Sequence, residues 1–259
     1  MVKRIVSGII GIPLLIYIVS KGGFLFTISL LVIVLLALRE FYNAFDNLHI
    51  SPLKYVGYLF TIIMYLAFSY KKLNITLLIF FMITLTVLLI FLFNKKTSFM
   101  DLAITLVGFL YVSYFLFHIL LISSFLDTYI IWFVFIIAWA TDTFAYFSGY
   151  FFGRRKLFPE VSPKKTVEGS IGGMIGSILI CIIFSYLLKP DFIIHSIFLG
   201  FIGSILSQIG DLIASKIKRH VGIKDYGNLI PGHGGILDRF DSILLTSPFV
   251  YYYVTLFIN

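Results

Sequence analysis

Apolar residues fill this chain in long runs rather than in the spaced stripes of a water-soluble helix. From Leu73 to Phe93, for instance, there is no charged residue. A helix needs about 20 mostly apolar residues to cross a bilayer. Nine stretches come near that length: Ile5–Ser20, Phe24–Leu38, Tyr55–Tyr70, Ile75–Phe93, Leu102–Phe125, Tyr129–Phe152, Ile171–Leu188, Phe192–Ala214 and Ser242–Ile258. The first two are short and joined by Lys21-Gly22-Gly23, which predicts a tight helical hairpin. Strands of a membrane β-barrel would alternate polarity over about ten residues, and runs of this continuity exclude them. The expected class is therefore all-α, a polytopic membrane protein of about nine spans.

Composition agrees with that reading. Of the 259 residues, 60% are hydrophobic and 12% charged, against about 45–50% and about 25% in soluble domains. Too little polar sequence remains for a water-facing shell, which argues against a cytosolic enzyme, a nucleic-acid-binding domain or disorder. The net charge of +8 is accounted for by the excess of Lys and Arg in cytoplasmic loops of membrane proteins, so nucleic acid is not an expected partner. With the N-terminus inside, 16 basic residues fall on the cytoplasmic side and 4 (Lys21, Lys71, Lys72, Lys189) outside. Nine spans then leave the C-terminus outside. Lys3 and Arg4 precede an apolar stretch without a small-residue cleavage pattern, so a retained first helix is expected rather than a removed leader. The single cysteine, Cys181, reads as a packing residue.

Organisation follows from the loops. Residues 1–125 hold about five spans, and residues 126–259 hold about four, with two long cytoplasmic loops at 153–170 and 215–241. Small-residue spacings such as Gly149-x-x-x-Gly153 and Gly172-Gly173-x-x-Gly176-Ser177 read as close helix contacts.

Charged groups near bilayer depth cost at least about 2.5–3.5 kcal/mol each, so the acids there need a reason. Asp142 sits in the middle of the sixth stretch, Asp211 near the end of the eighth, and Asp238 and Asp241 open the ninth, three apart and so on one helix face. In the predicted topology Asp211 leaves the membrane where Asp238 approaches it, and the two are expected to converge at one depth. Mg²⁺ suits such a pair, because it takes one or two protein carboxylates and completes its octahedron with water and phosphate. The plainer alternative is helix-end carboxylates paired with Arg239 and Lys218.

The loop around them combines bases with glycines. Lys218, Arg219, Lys224 and Arg239 are candidate phosphate cations, and Gly234 and Gly235 permit close backbone approach. Acids mixed with bases in this way point to a metal–nucleotide or pyrophosphate complex. In the other loop, Ser162-Pro163-Lys164-Lys165-Thr166-Val167-Glu168 offers Lys164 and Lys165 for phosphates. Ser162, Thr166 and Glu168 either order the following helix start or reach a nucleotide.

Residues Ser215 through Asp241 read Ser-x-x-Lys-Arg, four residues, Lys-Asp-x-Gly, two residues, apolar-Pro-x-His-Gly-Gly, two residues, Asp-Arg-x-Asp. This closely resembles the signature of the phosphatidate cytidylyltransferase (CDP-diacylglycerol synthase) family, position by position from Ser215 onward. Ser162–Gly169 resembles that family too, whereas residues 1–125 match it in hydropathy only. The resemblance implies condensation of CTP with phosphatidic acid to give CDP-diacylglycerol and pyrophosphate. It also implies dependence on Mg²⁺, with metal-binding acids at Asp211 and Asp238, Asp241 adjacent, and a second, monovalent cation.

The residues fit such a reaction. A phosphate nucleophile is already ionised at neutral pH, so no strong base is needed. His233 is accordingly assigned a phosphate hydrogen bond, with loop structure as its other reading. The partners implied are CTP, phosphatidic acid and the bilayer, with a second copy of the chain as the remaining one to weigh. Two rivals stand beside this reading: a transporter or channel built around Asp142, and a CTP-dependent polyprenol kinase or a cytidylyltransferase acting on another lipid.

Overall fold

The computed structural model describes residues 2–69, 76–229, 232 and 234–258, with side chains from Gly11 onward except Ile12. Helices α1 (Val2–Lys21), α2 (Gly23–Ala44), α3 (Lys54–Ser69), α4 (Thr76–Phe93) and α5 (Phe99–Ile122) come first. They are followed by α6 (Ile130–Phe152), a hairpin of β1 (Lys156–Phe158) and β2 (Ser162–Thr166), α7 (Val167–Leu188), α8 (Ile193–His220), the one-turn α9 (Leu237–Phe240) and α10 (Ile243–Phe257). Each of the nine apolar stretches coincides with a helix. Among the described residues, six helices are long and apolar enough to cross a membrane, and Lys54–Phe68 and Ile243–Phe257 are shorter apolar helices.

The chain divides into two units, residues 1–117 with 220–239 and residues 118–219 with 240–259. This differs from a cut near residue 125, because the segment after α8 clusters with the N-terminal helices. Its anchors within the first unit are the Asn47 amide, which donates to the Val221 carbonyl at 3.2 Å, and Glu40 of α2. In the same unit Tyr42 is fully buried, and its ring fills the space that side chains at Gly57 of α3 and Gly108 of α5 would take. Its hydroxyl donates to the Thr105 carbonyl at 2.8 Å, which satisfies the polar end of an otherwise apolar contact. Helix α5 passes through a π-helical segment at Phe109–Tyr114.

In the second unit α6 and α7 lie closely along each other. A side chain at Gly173 would meet the Thr141 carbonyl, one at Gly172 would meet Ser148, and one at Gly176 would meet the Phe144 ring. The small residues of α7 thus serve close packing, as their spacing predicts. Cys181 is buried in α7.

Three local features differ from the sequence expectation. The loop at 153–170 contains an antiparallel hairpin, with Lys156 opposite Thr166 and Phe158 opposite Ser162. Pro159 fixes the turn, and the Val161 N–H returns to the Phe158 carbonyl at 3.2 Å. Helix α8 runs on to His220, so Ser215, Lys218 and Arg219 are helical rather than part of a loop. Finally, the helix breaks at Asp241 and Ser242. Asp238 in α9 and Asp241 therefore do not share a continuous helical face; the Ser242 N–H turns back onto Asp241 Oδ1 at 2.8 Å.

Candidate active site

Residues of α6, the hairpin, α7 and α8 line a cleft of about 540 Å³ in the second unit. Cavities that hold small ligands run from about 300 to 1,000 Å³. Lys156, Lys164 and Lys165 come from the hairpin, Asp142, Tyr146 and Tyr150 from α6, and Asp211 and Gln208 from α8.

The hairpin carries its lysines on a fixed frame. Thr166 caps α7 by accepting the Gly169 N–H at 3.1 Å. Glu168, in the first turn of α7, accepts the N–H groups of Arg154 at 3.0 Å and Arg155 at 3.2 Å. Of the two roles open to Thr166 and Glu168, both are seen ordering the segment. Ser162 stands in β2 opposite Phe158, outside the residues that line the cleft.

Across the cleft, Lys165 Nζ lies 2.6 Å from Asp211 Oδ2, with each side chain about a quarter exposed. The Ser215 hydroxyl donates to Asp211 Oδ1 at 3.2 Å. Asp142 accepts the Ser242 hydroxyl at 3.3 Å. Burial, together with the neighbouring charges of Asp211 and Asp142, pushes the Asp241 carboxyl up to about 8, while Lys218 and the Ser242 N–H pull it down. Lys218 is itself buried in α8. Three carboxylates thus act on one another electrostatically, and Asp211 already holds a cationic group. Such a donor set favours further positive charge over negative charge. Among the described residues, no three His, Cys, Asp or Glu side chains are close enough to hold a metal ion alone.

The signature loop, in the first unit, treats its acid differently. Asp238 is buried, and its Oδ2 accepts the N–H groups of Tyr226 at 2.8 Å and Gly235 at 3.0 Å. Gly234 has a φ of +83°, and a Cβ there would stand 3.0 Å from the same oxygen, so glycine is required both by conformation and by space. Gly235 is pressed against Glu40. Arg239 and Lys224 are exposed on this loop and Arg219 on the end of α8. His233 lies outside the described residues. Asp211 and Asp238, paired in the sequence reading, belong to separate units.

Two contributors escaped the sequence. Lys156 reads there only as one more inside charge; its pairing opposite Thr166 puts it on the cleft. Glu40 follows Arg39 at the end of an apolar run and has no motif around it. A carboxylate closing such a run was the available signal.

The cytidylyltransferase family model matches residues 2–257. A phosphatidate cytidylyltransferase of Bacillus subtilis (strain 168) is 34% identical over 271 residues, covering 99% of this chain and 98% of that protein. One of Synechocystis sp. is 31% identical over 284 residues, with 98% and 96% covered. One of Staphylococcus aureus (strain COL) is 35% identical over 255 residues, with 95% of each covered. These matches run through α1 to α5 as well as through the cleft and the signature loop, and the chain belongs to the cytidylyltransferase family.

Proposed function

We propose that this chain condenses CTP with phosphatidic acid, forming CDP-diacylglycerol and pyrophosphate, at the cytoplasmic face of a nine-span membrane protein. The observation that carries the reading is the cleft where Lys156, Lys164 and Lys165 face Asp142 and Asp211. A cavity with both signs of charge suits a nucleoside triphosphate that arrives with a divalent cation. Neither a transporter nor a polyprenol kinase is favoured, since near-full-length relatives carry the phosphatidate cytidylyltransferase name.

An oxygen of the phosphatidate phosphate attacks the α-phosphorus of CTP. The bond from that phosphorus to the oxygen bridging the β-phosphate breaks, and pyrophosphate leaves roughly in line. Both reactants are anionic, so their repulsion is the main obstacle. Lys156, Lys164 and Lys165 are assigned to the triphosphate, where positive charge stabilises the departing pyrophosphate. Lys165 is held ready by Asp211 and exchanges that partner for phosphate. Tyr146 and Tyr150, one turn apart on the cleft wall with rings within 16° of parallel, offer flat faces to a base.

Mg²⁺ is the assigned metal, with Asp211 the carboxylate that would hold it on the cleft; Asp142 and Asp241 are charged neighbours in the same unit, and Asp238 is the acid that the family signature implies. When bound, it supplies charge neutralisation on phosphate oxygens. The 16-to-4 division of basic residues supports the orientation; it lets the lipid tails stay in the bilayer while CTP comes from the cytoplasm.

Purified protein in detergent, given phosphatidic acid, labelled CTP and Mg²⁺, is expected to yield a CDP-lipid and pyrophosphate on chromatographic separation. Lipid phosphate with CDP would identify a kinase instead, and absence of turnover would refute both.

A further inference from the structure

Helix α2 carries a single carboxylate, Glu40, on its last two turns. Its oxygens take two backbone N–H groups from the far end of the chain. Ile236 donates to Oε1 at 3.0 Å and Leu237 to Oε2 at 2.8 Å. Two glycines of the same loop close around this carboxylate. A Cβ on Gly227 would stand 2.5 Å from Oε1, and one on Gly235 would collide with the carboxylate. Gly235 then passes the constraint on, because its N–H donates to Asp238 Oδ2 at 3.0 Å, the oxygen that also accepts Tyr226 N–H at 2.8 Å.

A carboxylate with two N–H donors is a charge-assisted fork, stronger and more directional than neutral hydrogen bonds. It also solves a local problem. One-turn α9 begins at Leu237, and the N–H groups at a helix start have no acceptor within their own helix. The Arg239 N–H finds the Ile236 carbonyl at 2.9 Å, and for the Leu237 N–H the acceptor is residue 40, 197 positions away. Gly235 reads, in sequence, as a phosphate-approach glycine, and Gly227 as a fixed position of the family signature. Here they make room for an internal acid.

We infer that Glu40 is a positioning residue for the reaction: it holds the Gly235–Leu237 backbone and thereby sets where Asp238 stands. The inference rests on the proposed cytidylyltransferase reading, so its test includes an arm that does not depend on turnover. Glu40→Gln keeps the size but leaves one acceptor and turns an NH₂ group toward an N–H. Glu40→Asp keeps the charge with one methylene less. Gly227→Ala crowds the carboxylate from the loop side. Asp46→Asn, which removes an exposed charge paired with Lys54 at 3.2 Å, is the control.

In Glu40→Gln, amide hydrogen exchange at Ile236 and Leu237 is expected to speed up by about 10- to 100-fold, the range set by losing a hydrogen bond to a charged group. Turnover number is expected to fall by a similar factor, with KM for CTP changed less than about threefold and Asp46→Asn unaltered. Glu40→Asp recovers part of the loss, and Gly227→Ala reproduces it. Slow, wild-type exchange in Glu40→Gln overturns the clamp. Fast exchange with wild-type turnover of the folded fraction overturns the positioning role and leaves Glu40 a stabilising residue only. Should Glu40→Gln not fold, Glu40→Asp and Gly227→Ala carry the same comparison. A wild-type protein that makes no CDP-lipid refutes the cytidylyltransferase reading instead, and the exchange arm then decides the clamp.

Discussion

The hairpin cleft and the signature loop both present carboxylates and bases, yet they hold them by opposite means. In the cleft, charged groups project from regular elements and reach solvent, Lys165 and Asp211 partly and Asp142, Lys156 and Lys164 more fully. The frame is rigid because α6 and α7 meet through glycines, while Lys165 and Asp211 hold each other at 2.6 Å by an ion pair that another ion can replace. In the signature loop the acid is buried, and two backbone N–H groups bind its Oδ2. The lesson is a division of labour. Exchangeable partners suit groups that receive and release substrate, whereas backbone partners suit a group whose position must not change. Substitutions in the cleft should therefore register in apparent substrate affinity, and substitutions in the loop in turnover.

That division can be broken experimentally. The largest effect is expected from Asp238→Asn, which should reduce turnover by about 10³-fold, as loss of a fixed electrostatic contact in the transition state does. Membrane insertion and gel-filtration behaviour in detergent should be unchanged, and retained wild-type turnover would remove Asp238 from the metal set. Lys165→Ala and Lys164→Ala come next. Each should raise KM for CTP by about 10- to 100-fold, the worth of one charge-assisted hydrogen bond, with turnover number less affected. Steady-state kinetics showing unchanged affinity for both substrates would end their phosphate role. A fall confined to turnover would erase the contrast with the loop.

A smaller effect is expected from Gly173→Val in the frame beneath the cleft. The added side chain meets the Thr141 carbonyl, and overpacking of this kind costs about 1–3 kcal/mol. A lower melting temperature in detergent is the readout, and unchanged stability would show that the α6–α7 contact yields more easily than its spacing implies.

The most gradual effect, spread over several pH units, concerns Asp241, whose carboxyl is pushed up to about 8. In metal-free protein the folded state keeps a proton there that the unfolded chain loses above about pH 4. The folded state then binds more protons than the unfolded one, so stability falls as pH rises between those values. Melting temperature against pH in the presence of chelator should show this decline, and Asp241→Asn should flatten it. A slope unchanged in the variant would assign the decline to other groups.

How much of this was legible beforehand depends on the range of the physics involved. Hydropathy is a property of about 20 neighbouring residues, so among the described residues the apolar stretches fall on helices. The order of bases, acids and glycines in Ser215–Asp241 carries a family signature, and the family match covers it. The hairpin is less visible, since Lys156–Phe158 is three residues long and strands so short show no period. The break at Asp241 is invisible for another reason. Asp238 and Asp241 keep helical spacing across it, and the break shows only where the Ser242 N–H turns onto the Asp241 carboxylate.

By itself, then, the chain's order of residues determined a helical protein apolar enough for a membrane, with basic and acidic groups gathered in two segments, because hydropathy and charge are written residue by residue. Tertiary structure alone decided which of those groups meet. The Lys165–Asp211 pair spans 46 positions in the chain, and the Glu40–Leu237 bond spans 197. Pairings at that separation arise from how helices pack, and no local pattern encodes them.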